Sequence, residues 1–324
     1  MKAIQIKHSG NSSVLEMQEL TQPQPGKGEA LVRLKAAGLN FIDIYMRTGQ
    51  YPQQMPYTPG LEAAGVVEQI GEGVTEVKIG DRVAYTGNLG SYAEYNVVKA
   101  QQLIPLPNDL TFEQGAAFPL QGMTVHYLLH EYYAVKPGDF VLVHAAAGGV
   151  GLLLVQWLKH LKAKVIGTVS TVGKAKIARA AGADHVILYN QDDFAEETKK
   201  ITGGEGAAYI IDGVGKSTFT RNLEAVRRRG WICIFGSASG VAEPLLPNAL
   251  QAKSLTLSGG SLFNYLDTRE ELLYRAQAVL QGIREGWLKL HIDHVFSLDK
   301  AAEAQQMLEG RKTTGKVILK MSEG

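Results

Sequence analysis

The feature that most constrains this chain is a run near its middle where an apolar strand, a glycine turn and an amphipathic helix follow one another without a gap. Phe140-Val141-Leu142-Val143 leads into His144-Ala145-Ala146-Ala147-Gly148-Gly149-Val150-Gly151, and apolar residues then recur at helical spacing to Leu161. A strand that passes through glycines onto a helix N-terminus gathers backbone N–H groups at one point, which suits a phosphate. Laid on G-x-G-x-x-G, the segment 146–151 has alanine at the first glycine and keeps the other two. Gly148 lets the backbone approach a pyrophosphate, and Gly151 lets the helix pack closely on its sheet. Ala147, Gly148, Gly149 and Val150 are the expected contacts. Alone, such a run could be a plain glycine turn, so its weight depends on its surroundings.

From about residue 123 apolar strands at 140–143, 165–168, 185–188, 209–212, 231–235 and 255–257 alternate with helical segments at 150–161, 174–181 and 219–228. Six strands joined by crossovers predict an α/β domain over 123–265, with a doubly wound parallel sheet covered on both faces. Residues 1–122 read differently, as short strands at 29–34, 63–70, 82–85 and 91–98 broken by Pro25-Gly26, Gly71-Glu72-Gly73 and Gly80-Asp81. That half reads as a small β-barrel. The tail, 266–324, has a helix at 268–286 and a closing strand at 317–320. A chain of 324 residues has length for two such domains. Its 36 glycines exceed the usual share of about 7%, as turns and close backbone approaches require.

Charge narrows the partners. Lys plus Arg number 33 against 32 Asp plus Glu, so no basic excess points to nucleic acid or an anionic membrane surface. Small molecules are the expected partners. Cys233 is the sole cysteine, which rules out an internal disulfide and a cysteine-rich zinc lobe and fits a reducing compartment. The first residues alternate like a strand, and no stretch reaches the roughly 18 apolar residues of a membrane span. The expected location is the cytoplasm.

The nucleotide is read at the end of the second α/β strand, where NAD binders place an acid against the ribose 2′-hydroxyl. Here the chain reads Gly167-Thr168-Val169-Ser170, followed by Thr171 and Lys174. Hydroxyls and a cation accept a 2′-phosphate that an acid would repel, so Thr168, Ser170 and Lys174 point to NADPH. Open parallel sheets bind ligands at the carboxyl ends of their strands, which brings in Val214 and Gly215 after the fourth strand and Phe235 and Ser237 after the fifth. The run His291-Ile292-Asp293-His294 lacks a third metal ligand nearby and reads as structural. Arg227-Arg228-Arg229 reads as the solvent-facing end of a helix, and His144 as a structural hydrogen bonder.

Gly138-Asp139, Leu142, 146–149, Gly151, Gln156 and Lys159, with Gly60-Leu61-Glu62-Ala63-Ala64-Gly65-Val66-Val67 and Gly80-Asp81-Arg82-Val83, resemble zeta-crystallin-type quinone oxidoreductases. These belong to the zinc-free medium-chain dehydrogenases/reductases. The resemblance spans nearly the whole chain and implies a GroES-like catalytic domain at 1–122 and 266–324 with a Rossmann domain at 123–265. Where zinc-bearing relatives carry a catalytic Cys and a ligand His, this chain has Asn40 and Leu61, so no metal is expected. Zinc polarises an oxygen as a Lewis acid. Without it, the acceptor must already be electrophilic.

The resemblance implies an NADPH-dependent quinone reductase, or an enone or alkenal reductase on the same scaffold. A nucleotide-responsive binding protein, crystallin-like or RNA-associated, is the alternative of another class. Asn40, Asp43, Tyr45 and Tyr51 are similar to the family's pocket residues bordering the interdomain cleft. The tyrosines either donate a hydrogen bond to a flat substrate or simply wall the pocket. Gln121-Gly122-Met123-Thr124 resembles the family's run beside the nicotinamide, with Thr124 the expected contact in it, Phe263 resembles the last contact there, and Tyr189 and Arg311 match positions that join Lys174 at the 2′-phosphate. In similar proteins the strand carrying Leu255 and Leu257 pairs across a two-fold axis, so a homodimer is expected through that edge.

Overall fold

The computed structural model describes residues 1–322. In chain order its elements begin with β1 (Lys2–Gln5), β2 (Glu16–Glu19), β3 (Glu29–Gly38), α1 (Phe41–Arg47), β4 (Glu62–Ile70), β5 (Arg82–Thr86), β6 (Tyr95–Lys99), β7 (Ile104–Pro105), α2 (Phe112–Gly115) and α3 (Pro119–Tyr127). Next come β8 (Phe140–Val143), α4 (Gly149–His160), β9 (Lys164–Val169), α5 (Val172–Ala180), β10 (His185–Leu188), α6 (Phe194–Ile201), β11 (Ala207–Asp212), α7 (Phe219–Ala225), β12 (Val226–Ile234) and β13 (Thr256–Gly259). The chain closes with α8 (Arg269–Arg284), β14 (Ile292–Ser297), α9 (Ala301–Glu309) and β15 (Lys316–Lys320).

Two units emerge. The β-rich unit takes Met1–Gln121, Leu266–Gln277 and the segment from Ile292 onward; the α/β unit takes Gly122–Tyr265 and Ala278–His291. The second half of α8 belongs with the α/β unit because Val279 packs on Gly122, and the turn after it sets Trp287 edge-on to Trp157, with ring centroids 5.2 Å apart.

The β-rich unit is built on a seven-stranded sheet in the order β14-β15-β3-β4-β5-β7, with β6 on the same β3. The long β3 pairs antiparallel with both β4 and β6, and irregularities after Leu31 and Leu34 bend it. Its inward residues Ala30, Val32, Leu34 and Ala37 join Val67, Val83, Tyr85 and Leu319 in the core. Gly65 has no alternative, since a Cβ there would lie 2.1 Å from the Arg33 carbonyl oxygen.

In the α/β unit six parallel strands run β10-β9-β8-β11-β12-β13, as the alternating pattern predicts. Strands buried on both faces read as continuous apolar runs, and Leu142, Ile166, Ile210 and Ile232 form that core. The order reverses between β8 and β11, so a crevice opens at their carboxyl ends. Boundaries differ from the sequence reading in several places: the strand expected over 91–98 starts only at Tyr95, and the one expected from 231 starts at Val226. The helix expected over 219–228 stops at Ala225, and Arg227-Arg228-Arg229 lie in β12. Lys253 Nζ ends the helix by donating to the carbonyls of Leu223, Glu224 and Val226. Val226 then pairs with Ala207, and the register shifts before Tyr209 as Arg229 takes a φ of 54°. The local apolar spacing of 219–228 cannot register these long-range contacts.

Candidate active site

The turn after β8 is shaped by two exchanges of side-chain volume. Ala145 takes the left-handed φ of 51° that glycine usually supplies, and Gly148 N–H closes the turn on its carbonyl at 2.8 Å. Ala146 fits at the first glycine position because β9 carries Gly167 opposite; a Cβ on Gly167 would come within 2.7 Å of the Ala146 methyl. The glycine has moved to the neighbouring strand. Gly151 is fixed, with a Cβ placed 2.2 Å from the Ala145 oxygen, whereas a Cβ on Gly148 would meet only that oxygen at 3.3 Å. The outer side of Gly148 is therefore open to close approach. The first amides of α4 have no acceptor within the helix, and its first turn holds no acid. This arrangement fits the pyrophosphate of a dinucleotide on the backbone of Gly148, Gly149 and Val150, with Ala147 buried beside them.

At the end of β9, Val169 is buried and no carboxylate takes its place. Tyr189 N–H donates to the Val169 carbonyl at 3.2 Å, and Asn190 Nδ2 donates to that of Ser170 at 3.1 Å. Thr171 caps α5 by accepting from Lys174 N–H at 3.2 Å. Ser170, Lys174 and Tyr189 thus stand at the adjoining ends of β9, β10 and α5. Arg311 lies in the β-rich unit, just after α9, at a φ of 55°.

After β11, the N–H groups of Val214 and Gly215 are already taken by Asp212 Oδ1, at 2.7 and 3.1 Å. These two residues therefore shape the loop and do not offer donors to a phosphate. Phe235 packs on Gly213, and Ser239 Oγ, two residues past Ser237, donates to the Val214 carbonyl at 2.8 Å. Phe263 is half-buried in a turn that closes the unit.

Beneath these strand ends runs a buried polar line absent from the sequence reading. Asp212 Oδ2 accepts from Asn222 Nδ2 at 2.6 Å, and Asn222 Oδ1 accepts from His144 Nε2 at 2.8 Å. His144 Nδ1 meets Thr168 Oγ1 at 2.9 Å. It ties β8, β9, β11 and α7 together, so Thr168 is held from within. Cys233 is buried in β12 and its thiol is pushed up to about 11 by that burial, which leaves it inert.

In the β-rich unit, α1 carries Asn40, Asp43 and Tyr45, with Tyr51 four residues beyond its end. Tyr45 is buried and meets the half-exposed Tyr51 edge-on, ring centroids 5.4 Å apart; Tyr51 N–H donates to the Tyr45 carbonyl at 3.0 Å. Asp43 turns inward. Its Oδ2 accepts from Asn40 N–H at 2.9 Å and from Tyr92 Oη at 3.0 Å, while Oδ1, equally buried, has no partner. Desolvation pushes this carboxyl up to about 7, so near neutrality it holds a proton about half the time.

Asn40 is saturated. Its Nδ2 donates to Gly38 O at 3.4 Å and Glu62 Oε2 at 2.9 Å, and its Oδ1 accepts from Gln121 Nε2 at 3.3 Å and Lys316 Nζ at 2.9 Å. With all four hydrogen-bonding capacities of its amide used, Asn40 is held in one orientation, while Asp43 is engaged through Oδ2 alone. Thr124 follows Gln121 by three residues on α3. Lys316 escaped the sequence reading and Glu62 had no role in it, whereas Gln121 opens the 121–124 run that resembles the family's segment beside the nicotinamide. Glu62 was visible inside the quoted signature, but its partner stands 254 residues away.

Residues 26–108 match the family described as alcohol dehydrogenase GroES-like domain, and residues 149–277 match zinc-binding dehydrogenase. A quinone oxidoreductase of Pseudomonas aeruginosa is 41% identical over 98% of this chain and 99% of its own. A 2-haloacrylate reductase from Burkholderia is 39% identical over 97% of both chains. The crystal structure of Escherichia coli quinone oxidoreductase complexed with NADPH superposes with a TM-score of 0.96 at 41% identity, covering 99% of this chain and 100% of that one. One matched description names zinc, yet an amide and a leucine stand at the ligand positions, and among the described residues no three His, Cys, Asp or Glu side chains gather as a metal site would need. With both halves matched and the glycine turn, six-stranded order and strand-end residues in one frame, this chain belongs to the zinc-free quinone oxidoreductase family of medium-chain dehydrogenases/reductases.

Proposed function

We propose that this protein is an NADPH-dependent quinone reductase. The observation that carries the reading is the full-length match to a quinone oxidoreductase complexed with NADPH, whose cofactor suits the carboxylate-free end of β9. The backbone of Gly148, Gly149 and Val150 would hold the pyrophosphate. Ser170, Lys174, Tyr189 and Arg311 would hold the 2′-phosphate, where a cation and a guanidinium are worth more than neutral donors. Thr168, Val214, Gly215, Phe235, Ser237, Phe263 and Thr124 would frame the rest of the cofactor. When bound, the reduced nicotinamide supplies a hydride from its C4.

The chain's own residues then have modest work. A quinone is electrophilic without Lewis-acid help, so the pocket need only place it and exclude competing reactions. Tyr51, with its exposed ring braced by Tyr45, can stack on a flat acceptor and donate a hydrogen bond to its oxygen. Solvent can protonate the reduced oxygens, so no obligatory general acid is assigned. The similarity to a 2-haloacrylate reductase favours a second reading in which the acceptor is an alkene activated by a carboxylate or carbonyl. Anaerobic NADPH oxidation across quinones, enones, 2-haloacrylate and alcohols separates the two: quinones fastest supports the first reading, and alkenes alone the second.

The reading extends to assembly and location. β13 ends the sheet, and beside it a groove of about 500 Å³ is lined by Phe219, Ile234, Leu245 and Leu257. Val241 and Leu246 nearby are 68% and 79% exposed. Apolar surface beside an unpaired edge suits a homodimer, and Leu257→Pro, which removes a ladder donor, should shift the mass by light scattering from dimer to monomer. No described helix is long and apolar enough to cross a membrane, and we place the enzyme in the cytoplasm.

A further inference from the structure

At the other end of α1 the β-rich unit encloses a polar cluster that the reduction chemistry does not use. Arg47, in the last turn of that helix, is fully buried. Its Nε donates to Gly10 O at 3.2 Å, Nη1 to Gln305 Oε1 at 2.9 Å and Nη2 to Glu309 Oε2 at 2.8 Å. Gln305 and Glu309 stand on α9, so the guanidinium ties one helix to the other. An arginine can only donate, so Gln305 gives it the oxygen and turns its NH₂ away. That NH₂ lies against the Tyr92 hydroxyl, which itself donates to Asp43 Oδ2 at 3.0 Å.

Around this hydroxyl the hydrogen bonding is incomplete. Asp43 Oδ1, Gln305 Nε2 and Tyr57 Oη are buried atoms without a hydrogen-bond partner among the described residues. Asp43 is 1% exposed and Gln305 0%, so neither side chain reaches bulk solvent. Tyr57 belongs to the same place. Ile4 N–H donates to Tyr92 O at 2.8 Å and Ile6 N–H to Tyr57 O at 2.9 Å. Amides two residues apart on an extended chain point the same way, which makes the two tyrosines neighbours along one side of β1. The charges of Asp43 and Arg47 both act on the Tyr57 phenol. Native interiors leave few such atoms unpaired, and one buried water commonly serves about three of them.

The charge pattern selects the ligand. The NH₂ of Gln305 repels a cation, and the carboxylate of Asp43 repels an anion. A neutral molecule that both donates and accepts suits the two together. It also suits Asp43 in its protonated form, because it then accepts where it had donated. With Asp43 and Gln305 sealed from solvent, water is the molecule of that kind small enough to fit.

We propose that Asp43, Gln305 and Tyr57 form a binding site for one buried water, which joins the first turn of α1 to α9 and to the chain beside β1. Arg47 makes the matching tie at the last turn. Together they fix both ends of the helix that carries Tyr45, against which Tyr51 packs.

The test has two arms. Crystals of the full chain soaked in rubidium bromide should show an oxygen-sized peak within hydrogen-bond reach of Asp43 Oδ1, Gln305 Nε2 and Tyr57 Oη, with no anomalous signal there. No peak, a peak that misses any of the three atoms, or an anomalous ion peak would overturn the proposal. In urea unfolding, Tyr57→Phe should lower the folding equilibrium constant about fivefold. With Gln305→Met already present, which removes the water's donor, the same substitution should change it by less than about twofold, because residues that share one bridging molecule are not additive. Equal factors in the two backgrounds would show that Tyr57 and Gln305 share no water and would overturn the proposal as well. If Gln305→Met does not fold, the crystal peak and its anomalous signal decide alone.

Discussion

The nucleotide end of the α/β unit and the polar interior of the β-rich unit solve the same problem, holding polar groups in place, by opposite means. Around Gly148 the groups are backbone amides, and what matters is missing volume: Gly151 against Ala145, and Gly167 against Ala146. Around Asn40 the groups are charged side chains from two strands and a helix, and what matters is pairing: Glu62 with Lys316, Asp43 with Tyr92. A site made of absent side chains tolerates polar change nearby but no added methyl. A site made of buried charges tolerates neither the loss of one partner nor a change of protonation.

Lys316 carries the largest expected effect. Lys316→Met leaves Glu62 charged and unpaired in the interior, and stability by urea denaturation should fall by about 3–5 kcal/mol, whereas removing both charges together should cost far less. A loss no larger for the single variant than for the pair would show that Glu62 is solvated or already neutral.

Asp43 sharpens the same point through pH. Burial raises its carboxyl from 3.8 to about 7, so the folded state favours the protonated form. Its contribution to stability is fully present below pH 4, the unfolded value, and is lost as pH rises through 7. Asp43→Asn keeps acceptors for Asn40 N–H and Tyr92 Oη without the charge. The variant's stability relative to the parent should improve by roughly 2–3 kcal/mol between pH 5 and pH 8, measured by denaturant unfolding at each pH; a pH-independent difference would place the carboxylate in a solvated setting.

The α/β unit gives the smaller effect. Lys174→Ala removes one charge-assisted contact to the 2′-phosphate and should weaken NADPH by about 1.5–3 kcal/mol while leaving NADH nearly unchanged. Fluorescence titration with both cofactors reads this directly, and equal losses for the two would place Lys174 elsewhere.

These two regions also differ in how far the sequence discloses them. The glycine turn, the six strands and the missing acid at Val169 lie within short windows, because backbone sites are written locally in strand, turn and helix. Even there, Arg227-Arg228-Arg229 read as a helix end, since the bond that stops α7 comes from Lys253, far along the chain. The interior of the β-rich unit hides more. Asn40 and Asp43 stood out as pocket residues, yet their partners Lys316, in β15, and Tyr92, in the loop before β6, come from distant parts of the chain. No spacing rule shows that an exposed-looking Gly315-Lys316 turns its ammonium into the core. Side-chain networks closed by tertiary contact are legible only once the strands are in register.

The most direct test of the account is anaerobic turnover of the purified protein with NADPH and 1,4-benzoquinone, following NADPH absorbance and hydroquinone formation together. One hydroquinone should form per NADPH consumed, with NADH a much poorer donor. No NADPH consumption above the uncatalysed rate, with every quinone and activated alkene tried, would contradict it.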